Sequence, residues 1–401
     1  MKKSLFIAGC IFIFAAGLAL AADNQKLLNE ADQLISAKQY DSAFSLLNEA
    51  DKNGDNPEIV LKQIEIALNY FATSTMHQMF GFKNLQPGDT IESIRGKSGV
   101  YSYYKFEIDK ILDKLIAKYP ENWQLYKALG EFYYEVSVKY GDRWLKSGRE
   151  LLDLSESNSI KAEQNGAFDA KSLAIIGEAE LQKENYQKAV GYFLRSLELK
   201  SNVANTNYNL AYAYLYLGQM DEGLKYAEIS LKLYDDKVFK ADAARLVAIF
   251  YRNKIDNVNA IKYYQLSEEI IPNNYYNLAA LLELYIKAKE LDAAANTADA
   301  LFALEPIESE LTQTVIRSYY NNGQTEELFK FFDRMEQKYK KQDQVMGNLL
   351  LYKAYVYKLT NDFKQAKVCF TAARKYFAKC LEKDNAVFEL IDKELKTLES
   401  N

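Results

Sequence analysis

From about residue 24 onward, apolar and small residues return three and four positions apart, the spacing that lines one face of an α-helix. Leu173, Ile176 and Gly177 mark one such face, Asn185 and Tyr186 interrupt it, and Ala189, Phe193, Ser196 and Leu197 mark the next. The scheme returns with Leu210, Ala211, Tyr214, Gly218, Gly223, Ala227 and Ser230, and again with Val247, Ala248, Tyr251, Ala260, Tyr264, Ser267 and Pro272. Gly177 and Ala211, Ala189 and Gly223, and Ser196 and Ser230 are separated by one and the same interval; so are Tyr251, Tyr285 and Tyr319, then Ala260, Ala294 and Leu328, then Pro272 and Pro306. Several independent series sharing one period predict a tandem array of helix pairs, each packed on its neighbours.

Small residues near the eighth, twentieth and twenty-seventh positions of a 34-residue unit let helix backbones approach, and the large residue at Phe193 fills the wedge between them. This pattern resembles the tetratricopeptide repeat. The resemblance implies an all-α fold, a right-handed α-α superhelix, whose first helices line a concave, partner-binding groove. Weaker copies extend it over nearly the whole chain: Leu27, Ala31, Leu34, Tyr40, Ala43, Leu47 and Ala50 at the front, and Ala354, Tyr357, Phe363, Ala366, Phe370 and Ala373 at the back. The expected organisation is a signal peptide over 1–21, N-terminal repeat-like units over 24–122 with an insertion at 72–102, and an irregular unit over 123–168. Tandem units over 169–380 and a capping helix over 384–398 complete it.

The insertion follows Phe71 and holds Met76, His77, Met79, Phe80, Gly81 and Phe82 before the glycines Gly88, Gly96 and Gly99. Two readings compete: an adaptable apolar lid over a ligand pocket, or a helix extension packed on the next repeat with a solvated loop beyond. A second interruption, from Tyr140 to Gly166, includes Gly141-Asp142-Arg143-Trp144 and the polar run Ser155 to Asn165 and is read as lengthened helices with a polar connection.

Met1, Lys2 and Lys3, the apolar stretch Leu5 to Leu18, and Ala19-Leu20-Ala21 have the order of an export signal, with Ala19 and Ala21 framing the cleavage site. The apolar run is shorter than the roughly 20 residues of a spanning helix, so cleavage leaves no integral span, and the destination expected is the periplasm or envelope. Cys10 sits too early in that run for a lipidated first residue. The 401 residues carry a net charge of −5, a poor match for nucleic acid. The 31 Tyr against a single His change the picture more, because phenols pack between helices with their hydroxyls at the edge.

A lone histidine leaves no Ser-His-Asp arrangement and no multi-histidine metal site, and no phosphate-binding glycine loop occurs, so neither cofactor nor metal is expected, and no enzymatic activity. The candidate chemistry is recognition of a protein or peptide. Counting from the repeat register, Tyr208, Tyr212 and Tyr216 form one stripe of a first helix, and the same rule adds Tyr134, Tyr276, Tyr320 and Tyr355 with Arg245, Arg252 and Arg317 between them. The carboxylate-gripping subtype of these repeats requires lysines and asparagines where Ala174, Glu178, Asn209, Asp242 and Leu246 stand; only Asn209 matches.

Overall fold

The computed structural model describes residues 22–75 and 78–399. Ala19, Ala21, Cys10, Met76 and His77 lie outside the described residues. The contacts divide the chain into two compact units meeting at Asn202 and Val203.

In the first unit, α1 (22–36) pairs with α2 (Tyr40–Ala50), and α3 (Pro57–Asn69) is followed by strands β1 (Thr73–Ser74) and β2 (Met79–Phe82). A short helix α4 (Ile91–Ile94) and strand β3 (Ser102–Lys105) then lead into α5 (Ile108–Lys118). The pairs α6 (Trp123–Tyr140) with α7 (Gly148–Gln164), and α8 (Ala170–Gln182) with α9 (Tyr186–Leu199), complete it. The second unit has five pairs: α10 (Ala204–Tyr216) with α11 (Met220–Leu233), α12 (Lys237–Asn253) with α13 (Asn257–Ile270), and α14 (Tyr275–Ala288) with α15 (Leu291–Ala303). Then come α16 (Ser309–Tyr320) with α17 (Thr325–Tyr339), α18 (Asp343–Leu359) with α19 (Phe363–Phe377), and a final helix α20 (Ala386–Glu399) laid on α19.

One turn recurs in seven of these pairs. Lys38, Glu184, Gly218, Ile255, Lys289, Gly323 and Asn361 all hold φ between 57° and 72°. The amide of the next residue reaches back to the carbonyl five positions earlier, as in Gln219 to Tyr214 (3.0 Å), Asp256 to Tyr251 (2.9 Å) and Gln324 to Tyr319 (2.9 Å). This is the left-handed closure that satisfies the orphan carbonyls of a helix end. In four of the pairs of the second unit the helix-A tyrosine at the accepting position, among Tyr214, Tyr251, Tyr285 and Tyr357, packs on or bonds the partner helix or the preceding pair. Tyr214 stacks on Tyr226, Tyr251 on Tyr263 and Tyr357 on Phe329, while Tyr285 accepts from Gln265. Much of the tyrosine excess therefore belongs to the hairpin itself.

The small positions act as holes. A Cβ placed on Gly177 would sit 2.6 Å from the Phe193 ring, one on Gly223 would sit 2.3 Å from Phe250, and one on Gly347 would sit 2.6 Å from Phe377. All three rings are buried. In α6 and α7 the same close approach is made by Gly130 against Ser155 and Ser159, with the Ser155 hydroxyl donating to the Gly130 carbonyl at 2.7 Å. The helices are lengthened as expected, and the polar run Ser155 to Asn165 lies within α7 in all but its last residue, with Ser155 and Ser159 buried on its packed face and the connection at 141–147.

The insertion is corrected in part. In place of a helix extension it forms a three-stranded antiparallel sheet in the order β1-β2-β3, while residues 83–101 between β2 and β3, apart from α4, are a largely exposed loop. Phe80 pairs with Tyr104 and Phe82 with Ser102, and these residues turn toward α2, where Phe44 stacks on Phe82 at 4.7 Å between ring centres. Phe80 is 6% exposed and Phe82 is fully buried, so they belong to the core and a lid built from them would have to leave it. Met79 lies on the opposite face, beside Gly81, whose missing side chain is replaced by the Tyr103 ring from the neighbouring strand; a Cβ there would meet that ring at 3.0 Å and Thr73 at 2.7 Å.

Candidate functional site

In the second unit the first helices of successive pairs touch, α10 with α12, α14 with α16 and α16 with α18. The shared face carries a row of polar aromatic side chains. On α10 the Tyr212 and Tyr216 hydroxyls lie 3.0 Å apart and their rings 4.9 Å apart; Tyr216 is 54% exposed. Tyr208, one turn earlier, is edge-on to Tyr234. Burial pushes its phenol above the usual range, the Asp242 carboxylate adds to that, and Arg245 opposes it. Arg245 is held by Asp242 at 2.6 Å while its guanidinium lies 5.7 Å from the ring centre of Tyr276 on α14. The next links are Tyr275 to Thr314 on α16 (3.1 Å) and Gln313 to Tyr352 on α18 (3.2 Å).

Tyr208, Tyr212, Tyr216, Arg245 and Tyr276 thus sit along one row. Arg317 is exposed and donates to Thr314 at 3.2 Å, close to the row, and Arg252 is exposed at the end of α12. Tyr320 and Tyr355 are partly buried against the core, as Tyr275 and Tyr352 are, and Tyr355 lies edge-on to the buried Phe370 at 5.2 Å. The links from pair to pair run through Tyr275 and Tyr352. Tyr275 adjoins Tyr276, and Tyr352 precedes Tyr355 by three positions, about one helical turn. Tyr134 belongs to the first unit, where it donates to Glu178 at 2.5 Å; burial and that carboxylate both push its phenol upward.

The first unit has a differently composed cleft of about 460 Å³ between α3, α6 and the start of α8. Leu28, Leu61, Leu68 and Ala128 contribute apolar surface. Lys62 bridges Asp32 and Glu65 at 2.8 and 2.7 Å, Lys127 bridges Glu131 and Asp169 at 3.2 and 2.5 Å, and Lys171 pairs with Glu135 at 2.8 Å. Burial raises the Glu131 carboxyl above the usual range, partly offset by Lys127. At Asp169 burial acts upward too, but Lys127 and the Ser172 amide outweigh it and the carboxyl falls below that range.

Beside the inserted sheet, Leu68, Phe71, Phe80, Phe132, Tyr140 and Trp144 line a cavity of about 50 Å³, room for a water or two. Among the described residues no group of three His, Cys, Asp or Glu side chains converges to hold a metal ion, and no helix is long and apolar enough to cross a membrane.

Helix pairs start one full repeat period apart at Ala170 and Ala204, and again at Tyr275, Ser309 and Asp343. Each is closed by the same turn or wedged by the same small-on-aromatic contact. The fold is that of the tetratricopeptide repeat. No family model matches the chain, and no curated protein does. Solved tetratricopeptide structures do resemble it. One is YrrB, described as a tetratricopeptide protein with an unusual peptide-binding site, at 16% identity over 47% of this chain and 95% of that one, with a TM-score of 0.38. PilF of Pseudomonas aeruginosa is similar at 12% identity over 55% and 96%, TM-score 0.41. A tetratricopeptide repeat protein from Parabacteroides merdae is similar at 15% over 69% and 99%, TM-score 0.42.

Proposed function

We propose that this tetratricopeptide chain is a non-enzymatic scaffold or adaptor that grips a peptide or helix of a partner protein along the first helices of its second unit. The observation that carries this reading is the row from Tyr208 through Arg245 and Tyr276 to Tyr352. Tyrosine and arginine offer rigid, amphipathic contact area and forked donors, the chemistry that dominates protein recognition. Arg245 is the centre, because its Asp242 partner fixes it between two tyrosine-bearing helices. The export-signal order of residues 1–21 supports placing the scaffold in the periplasm or envelope.

A carrier using residues 72–102 as a lid over a small ligand is the weaker reading. The cavity beside that segment, about 50 Å³, falls well short of the roughly 300–1,000 Å³ of small-molecule sites.

Replacing Tyr212→Ala together with Arg245→Glu tests the scaffold. Both side chains are partly exposed, so far-UV circular dichroism is expected to stay unchanged while crosslinked capture of envelope proteins, read by mass spectrometry, loses its specific partners. Recovery of the same partners as the parent would remove the groove from consideration.

A further inference from the structure

The inserted sheet has two edges that differ in what they offer. At β1 the edge is closed by α6: the Ser74 hydroxyl lies 3.3 Å from that of Tyr140, and Lys139 donates to Ser74. At β3 the edge is the last strand of the sheet among the described residues.

The register fixes which backbone groups that edge presents. Phe106 donates its amide to the Gln78 carbonyl at 3.0 Å, so the even-numbered pairs, Phe80 with Tyr104 and Phe82 with Ser102, are those that exchange hydrogen bonds across β2 and β3. The N–H and C=O groups of Tyr103 and Lys105 are therefore directed outward, away from β2. Their side chains stand on the solvent face: Tyr103 is 53% exposed, and the Lys105 side chain is 62% exposed with only a 3.5 Å contact to Glu107. The opposite face is anchored, since Ser102 and Tyr104 both donate to Asp41, at 2.6 and 3.0 Å. The result is an anchored strand whose outer edge pairs with no other strand among the described residues, flanked by Val100 at 91% exposure. Unpaired strand groups template pairing with another chain, and the four-residue length of β3 and the charge of Lys105 restrict that pairing to a short segment able to answer the lysine.

We propose that β3 is a docking edge for an extended segment of a partner polypeptide, which adds a fourth strand antiparallel to β3. Main-chain bonds to Tyr103 and Lys105 hold it. Side chains opposite one another across strands interact directly, so the segment carries a carboxylate facing Lys105 and, two residues later, an apolar side chain over Tyr103. A second copy of this chain is the poorer occupant. An isologous pairing centred on Tyr103 would set Lys105 opposite Tyr101 and offer it no carboxylate. This site is separate from the tyrosine row and stands or falls independently of it.

The test uses the whole chain and a labelled peptide, acetyl-Thr-Asp-Thr-Val-Thr-Val-amide, followed by fluorescence anisotropy. In the antiparallel register its aspartate faces Lys105 and its first valine faces Tyr103. Saturable binding is expected. N-methylation of the aspartate or first valine amide, which faces the edge, lowers affinity by about tenfold or more, as expected for one lost buried hydrogen bond. N-methylation of the intervening threonine leaves affinity within about twofold. Lys105→Glu weakens the parent peptide and restores binding to the peptide with lysine in place of aspartate. The Tyr212→Ala, Arg245→Glu variant binds as the parent does. Equal loss from both kinds of methylation, no saturation at about 1 mM peptide, or a concentration-dependent dimer that the peptide dissociates would each overturn the proposal.

Discussion

Gly223→Ala and Gly191→Ala are the same chemical change in two helices of the array, and the structure assigns them opposite signs. Gly191 lies within α9, and a Cβ there meets nothing within 4 Å. Removing a helix-interior glycine should then stabilise by about 0.8–1.0 kcal/mol. Gly223 lies in α11 beneath Phe250, and its added carbon would fall 2.3 and 2.4 Å from two ring atoms and 3.2 Å from the Tyr214 Cβ. Phe250 is fully buried, so the ring has no free volume to enter. Overpacking costs about 1–3 kcal/mol, and so hard an approach belongs at the upper end. Set against the helical gain, the net loss is about 2 kcal/mol. Urea unfolding followed by circular dichroism separates the two cases, with the midpoint rising for Gly191→Ala and falling for Gly223→Ala. Gly223→Ala combined with Phe250→Leu should lose less than the two single effects added together, because the smaller side chain vacates the contested space. If Gly223→Ala proves as stabilising as Gly191→Ala, the small-on-aromatic wedge between α11 and α12 is not the contact that spaces these helices.

Ile255→Gly should stabilise by about 1 kcal/mol in the same assay, because Ile255 is 83% exposed at φ 63°, a conformation costly for a β-branched residue. Phe82→Ala should cost about 3–5 kcal/mol, whereas Val100→Ser should stay within about 0.5 kcal/mol; comparable effects would deny the sheet its place in the core. Burial pushes the Cys369 thiol up to about 11, so its neutral form favours the fold below pH 9 and that contribution fades as pH rises toward 11. A disulfide reagent at pH 8 should label Cys380 rapidly and Cys369 only after denaturation. Asp169→Asn keeps the cap on α8 but removes the charge facing Lys127. Its depressed carboxyl contributes stability above the ordinary aspartate range that is lost as pH falls. The variant should therefore be less stable by up to about 1 kcal/mol at pH 7 and indistinguishable from the parent near pH 2.

The repeat was legible because Gly177, Ala189 and Phe193 report a contact that depends on residue size and recurs at fixed spacing. The turn residues were less so. Only Gly218, Gly323 and Asn361 advertise the left-handed position, while Lys38, Glu184, Ile255 and Lys289 occupy it under the constraint of the hairpin on either side. The inserted strands carried a signal that reasoning from the repeat period passes over: Phe80 and Phe82, like Ser102 and Tyr104, alternate with outward residues as strand positions do. For the tyrosine row, periodicity located the face at Tyr208 to Tyr216, where the helix is regular. It did not single out Tyr275 or Tyr352, one position and about one helical turn from the expected Tyr276 and Tyr355, because the repeat period identifies a helix face but not which of two neighbouring tyrosines on it bonds the next pair.

The inserted sheet also bears on the order in which this chain can fold. Helices α8 and α9 are separated by three residues, whereas the whole segment 70–107 separates α3 from α5. Closing the longer loop costs about 2 kcal/mol more in chain entropy, by the three-halves logarithmic dependence on length. The hairpins of the second unit, and α8 with α9, can therefore form from local encounters, while α3, which packs on α6 across that segment, and α2, which meets the sheet through Phe44, Phe82 and Tyr104, depend on contacts distant in sequence. The front of the chain, which is first to emerge, is thus the part whose assembly depends most on contacts distant in sequence.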